Sequence, residues 1–157
     1  MLSTWFREWG GDVKKDMTIK TKRASRSIPA EPSDGKRLLI VLKPISAWRQ
    51  GISYDKPHIP ELAPDDAIFD KYQKNIKSHQ WTEEEWNGYE EAFRKLMMER
   101  EKAQELIRYL AKEYANSDTK HVTLLCFCPD ERYCHRRLVK EMILSINQSV
   151  DKKEKEQ

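Results

Sequence analysis

The stretch Val122-Thr-Leu-Leu-Cys-Phe-Cys-Pro-Asp-Glu-Arg-Tyr-Cys-His-Arg-Arg-Leu-Val-Lys-Glu-Met-Ile constrains this chain most, because its hydrophobic pattern changes period once, across a polar loop. The mostly apolar run from Val122 reads as a buried strand, and from Cys134 onward apolar positions recur at helical spacing. At about 100° per residue, Leu138, Val139, Met142, Ile143 and Ile146 share one face, with His135 near its middle. A strand feeding a helix in this way gathers free backbone N–H groups at the positive end of the helix dipole. Cys134, His135 and Arg136 fall at that junction.

Upstream, Thr18-Ile-Lys-Thr-Lys alternates like a first strand, Ser33-Asp34-Gly35 is a turn signal, and Leu38-Leu-Ile-Val-Leu is an apolar run of strand length. Such a run is expected at the centre of a sheet, covered on both faces. Pro44 to Pro64 is a long irregular segment and a candidate lid. Pro64-Asp65-Asp66 suits a helix start, and Thr82 with Glu85 forms a capping box. Beyond it Trp86, Tyr89, Phe93, Leu96, Ala103, Ile107, Leu110 and Tyr114 recur at steps of three and four, interrupted on the same stripe by Arg100. This is either one helix or two joined near Met98 to Glu101. The order β, β, α, α, β, α predicts a single compact α/β domain, with a small, largely parallel sheet flanked by helices, over residues 18–147. An amino-terminal arm, 1–17, precedes it, and a polar tail, 148–157, follows.

All three cysteines lie in the strand–loop–helix stretch, unlike the dispersed framework of a secreted scaffold, which points to a reducing cytoplasm. The first residues lack an apolar leader, and no stretch approaches the ~18 apolar residues of a membrane span. A mean hydropathy of -0.86 describes a polar surface, and five Trp, six Tyr and four Phe supply a core. The net charge of +3, from 29 basic and 26 acidic residues, lacks the excess of a dedicated nucleic-acid binder.

A thiol at a helix amino terminus beside an arginine is of the reactive kind, which makes Cys134 the candidate nucleophile. His135 would orient it or act as base, and Arg136 would hold an anion. Cys126 and Cys128 share one strand face, where free cysteines usually pack as small hydrophobes. The four donors Cys126, Cys128, Cys134 and His135 lack the spacing of a zinc signature. Adjacent helical residues also point about 100° apart, so the four are not expected to meet on one ion. Neither a metal nor a cofactor is expected. No Walker loop, G-x-G-x-x-G or nucleophile elbow occurs. Lys20, Lys22, Arg23, Arg26, Lys36 and Arg37, with Trp48 and Tyr54 for stacking, leave weak nucleic-acid binding as one alternative. A protein-interaction role for the long aromatic stripe is another.

Leu124-Leu125-Cys126, Tyr133-Cys134-His135-Arg136 and Leu138-Val139, together with Pro60-Glu61-Leu62-Ala63-Pro64 and Asp34-Gly35-Lys36-Arg37, resemble the YeaO-like family, domain of unknown function 488. The resemblance runs from about Thr18 to Ile146 and implies a compact cytoplasmic α/β domain without specifying a reaction. It places Cys126, Cys134, His135 and Arg136 in the family's Cys-His-Arg region, and Arg23 and Arg37 at its amino-terminal basic positions. Leu62, Glu61 and Pro64 match its central element. Where the family often has an Asp-Arg-x-Trp-Pro-Arg-Gly-like stretch, this chain has Val41-Leu-Lys-Pro-Ile-Ser-Ala-Trp-Arg-Gln-Gly, with Lys43, Trp48 and Arg49 as loose substitutes and no acidic residue. The leading expectation is a pocket between the carboxyl ends of the Leu38 and Val122 strands that binds a small anionic or phosphate-bearing ligand. Arg136, Arg23, Arg37, Cys126 and Trp48 are its candidate contacts, and Cys134 and His135 its candidate catalytic pair.

Overall fold

Strand β3, Val122–Cys126, is buried at all five positions and lies in the middle of a three-stranded sheet. Strands β1, Ile19–Arg23, and β2, Lys36–Leu39, flank it, both parallel to it, with Ile19 and Lys36 opposite Val122. The computed structural model describes residues 18–156 apart from Asn116 and Asp118, with side chains as far as Ile146, so the expected arm, 1–17, lies outside the described residues.

The Leu38 run is therefore an edge strand, not the central one. A continuous apolar run reports that both faces are covered, but it does not report which edges are paired. Here the outer edge of β2 is covered by the segment expected to be a lid: Asp55 donates its N–H to the Arg37 carbonyl and Ile59 to that of Leu39, each at 2.8 Å. A covered edge is protected from pairing with another chain, as exposed edges are not.

Among the described residues six helices pack around the sheet: α1, Ile45–Gln50; α2, Asp66–Lys71; α3, Gln73–Ser78; α4, Glu83–Glu99; α5, Glu101–Tyr114; and α6, His135–Glu156. The acidic and capping signals act as expected. Asp65 Oδ1 accepts from the Ile68 N–H at 2.9 Å, and Thr82 and Glu85 cap one another reciprocally. The aromatic stripe divides into two helices at Arg100, whose backbone leaves helical geometry (φ -85°, ψ 109°). Its guanidinium donates to the Glu61 and Ala63 carbonyls at 2.9 Å each, anchoring the Pro60–Leu62 turn. The polar interruption of the stripe is thus a tether between layers.

Trp86, Tyr89, Phe93, Ile107, Leu110 and Tyr114 are buried with Leu124, Leu138 and Ile143 in one core. That stripe is an inward face. The α6 backbone stays helical to Glu156, through most of the stretch read as a polar tail. Among the described residues no helix is long and apolar enough to cross a membrane. Gly35 makes the turn into β2 with φ +63°, and a Cβ there would lie 2.0 Å from the His121 carbonyl oxygen. Only glycine fits that close approach.

Candidate functional site

At the carboxyl end of β3 the chain passes through Phe127 to Asp130 and the turn Glu131–Tyr133 before α6 begins at His135. Cys134, the residue before the helix, is extended (φ -144°, ψ 142°). The 100° rule for adjacent helical residues therefore does not apply to Cys134 and His135, and their side chains reach the same place. His135 Nδ1 lies 3.7 Å from Cys126 Sγ and 4.0 Å from Cys134 Sγ. The donor atoms of Cys126, Cys134 and His135 all fall within 4.8 Å of one another, and Cys128 Sγ is 3.9 Å from Cys126 Sγ. Three of the four donors thus converge, with Cys128 outside the group, so the four do not meet at one point, as expected, while Cys134 and His135 come closer than helical spacing suggested.

His135 points inward, as its place on the apolar face predicts, and its Nε2 is 2.6 Å from the Ile40 carbonyl oxygen. A carbonyl can only accept, so Nε2 carries a proton, and in the neutral ring Nδ1 is then the nitrogen that presents its lone pair to the thiols. The contact with Cys128 pulls the Cys126 pKa down, but Cys134 and burial outweigh it and push it well up. Cys126 in turn raises Cys128, with burial adding to the effect against the opposing pull of Cys134. Both thiols are neutral at pH 7 in the absence of a partner that removes their protons. Burial, and then the three cysteines, also push the Tyr89 hydroxyl up. The cluster can act chemically in two ways: Nδ1 can accept a thiol proton, or the two thiols and the ring can share a soft metal ion.

A cavity of about 580 Å³ opens beside this cluster at the carboxyl ends of β2 and β3, the place the strand pattern indicated. Cys126, Cys128 and His135 line it, with aromatic walls from Phe69, Trp81, Tyr89 and Tyr133. Lys43 and Arg49, on the α1 side, also line it and have no ion-pair partner among the described residues. Asp66 and Asp130 are its acidic residues. Asp130 accepts from Arg132 at 2.9 Å, which holds its carboxyl below the usual range, and it also accepts the Arg132 backbone N–H.

The remaining expected site residues lie elsewhere. Cys134 is 1% exposed and sits outside the cavity lining, within contact of Cys126 and His135. Arg136 is buried too; its Nη1 donates to the Cys128 carbonyl at 2.6 Å and holds the loop that forms the cavity wall. Arg23 is exposed at the end of β1, on the sheet edge away from β2. Arg37 is buried at the opposite end of the sheet, paired with Asp34 and donating through Nε to the Ser53 carbonyl. Lys22 joins the same carboxylate at 2.6 Å, and Lys20 donates to Ser33, so half of the six basic residues considered for a nucleic-acid surface are engaged within the fold. Trp48 is 60% exposed, with its indole N–H on the Tyr54 hydroxyl. Its neighbours Ile45, Ser46 and Arg49 line the cavity in its place.

Periodicity assigned Tyr89 to the core and gave no sign of a cavity beside it. Lys43 and Arg49 carried a weaker signal, standing where the resemblance shows a basic loop.

No curated protein and no solved structure matches the chain. The family model described as the active DUF488-N3 subclade matches residues 19–147, which takes in all three strands, the cysteine cluster and the cavity lining. The chain belongs to the DUF488 family.

Proposed function

We propose that the cavity is a small-molecule site, taking a ligand with a flat apolar body and an anionic group whose reacting part meets the thiol–imidazole wall. One observation carries this reading: Cys126, Cys128 and His135 share a single cavity with the cations Lys43 and Arg49. Aromatic walls favour a ring, and basic side chains without a carboxylate partner favour an anion. The position agrees with the general placement of ligands outside the carboxyl ends of strands in open parallel sheets. Arg136 contributes by fixing the loop at Cys128, and the anion falls to Lys43 and Arg49. Three free cysteines support a reducing compartment such as the cytoplasm.

The test is thermal unfolding of the full chain with a nucleoside monophosphate, with inorganic phosphate as the comparison. At a hundredfold excess over Kd the ring-bearing phosphate should stabilise by about 2.7 kcal/mol, a rise of several degrees in Tm. Inorganic phosphate should do less. The shift should vanish in the double variant Lys43→Ala, Arg49→Ala; an unchanged shift there, or none from any ring-bearing anion in the wild type, removes the proposal.

A further inference from the structure

We infer that Cys126, Cys134 and His135 form a binding site for one zinc ion, with its fourth position turned toward the cavity. Bond lengths of about 2.3 Å to sulfur and 2.0–2.1 Å to nitrogen in a tetrahedron imply donor–donor edges of about 3.5–3.8 Å. The observed 3.7 and 4.0 Å edges from His135 Nδ1 to the two sulfurs stand within a few tenths of that range. Seating the ion therefore needs those two edges to close by a few tenths and the sulfur–sulfur edge, no longer than 4.8 Å, to close by up to about 1 Å.

The histidine is already prepared as a ligand. Its proton is held at Nε2 by the Ile40 carbonyl, an outer partner of the kind that fixes the tautomer of metal-binding histidines. The donors also sit on firm supports: Cys126 ends the central strand, and Cys134 and His135 enter a helix that packs on the core. Two thiolates and one neutral imidazole suit a borderline-soft divalent ion such as zinc. Together, two thiolates and the ion are neutral, which suits a buried place better than bare thiolates would.

Cys128 is near Cys126 but outside the set of mutually close donors. With three protein ligands, zinc keeps a position for water or a ligand atom, the arrangement of reactive rather than closed zinc sites. That this position faces the ligand rests on reading the cavity as the binding site, since Cys126 and His135 line it.

The test uses the full chain, reduced, freed of metal by chelator and titrated with Co²⁺ while the absorption of tetrahedral cobalt–thiolate is followed. One equivalent should bind, and Zn²⁺ should displace it. Cys126→Ser and Cys134→Ser should each weaken binding by at least about 100-fold, beyond the loss typical of outer-shell changes. Cys128→Ser should keep one equivalent, and an equal loss there overturns the open fourth position. Two readouts on the wild type cover the case in which a variant fails to fold: Zn²⁺ uptake should release about two thiol protons per ion and should leave the alkylation rate of Cys128 as it is without metal. A folded chain that takes up no stoichiometric cobalt or zinc overturns the inference, as does unchanged affinity in both ligand variants. A cobalt site with no response to ring-bearing phosphates sustains the metal and removes the ligand reading; the reverse result removes the metal.

Discussion

The two ends of the sheet each carry a buried polar cluster, and the clusters are built in opposite ways. At the amino end Asp34 is 0% exposed, and its carboxylate meets Lys22, Arg37 and the Glu31 N–H, while its carbonyl takes the Thr123 hydroxyl at 2.8 Å. There, one buried carboxylate holds two cations. At the carboxyl end Cys126, Cys134 and His135 meet through a lone pair and two thiols that satisfy one another poorly, next to a cavity. Close pairing of opposite charges makes the first cluster a clasp of the fold. Unused donor capacity makes the second the candidate site.

The comparison can be broken by exchanging the expected effects. Asp34→Ala leaves Lys22 and Arg37 facing one another in a largely buried place, and should lower unfolding free energy by about 3 kcal/mol or more in urea melts. Cys134→Ala removes one sulfur from a core position and should lose only about 1 kcal/mol in the same melts. If the two losses are equal, the ends of the sheet do not divide the work as described.

The pH dependence of stability is a smaller effect that sharpens the contrast. Burial alone would raise the Asp34 pKa, but Lys22, the Glu31 N–H and Arg37 outweigh it and hold the carboxyl below its usual range. A depressed carboxyl contributes stability that is complete above its unfolded pKa of about 3.9 and is lost as pH falls through the folded value. The raised thiols of Cys126 and Cys128 work in the opposite direction. Their contribution is complete below the unfolded value of about 8.5 and is lost as pH rises above it. Urea melts of the metal-free protein across pH should show that Asp34→Asn flattens the acid limb alone, and that Cys126→Ala with Cys128→Ala flattens the alkaline limb alone.

Much of this division was legible in the chain. The period change between Val122 and Ile143 located strand, loop, helix and the inward His135. Turn chemistry located Gly35, and capping chemistry the starts of α2 and α4. What the pattern did not carry was long-range pairing. Nothing local tells that Asp55 and Ile59 cover the β2 edge, or that Asp34 draws in Lys22 and Arg37, because these contacts depend on how distant segments meet. The approach of Cys134 to His135 was not legible for a smaller reason. One extended residue, Cys134, sits just before the helix, and helical arithmetic carried one position too far separates side chains that the chain brings together.

The most direct test of this account is the tautomer of His135 in the reduced, metal-free protein, read from long-range ¹H–¹⁵N spectra at neutral pH. The Ile40 carbonyl at 2.6 Å requires a proton on Nε2, and the account predicts a neutral ring whose Nδ1 has the chemical shift of an unprotonated nitrogen facing the thiols. A proton on Nδ1, or a doubly protonated ring, would contradict the account, because no lone pair would then face Cys126 and Cys134.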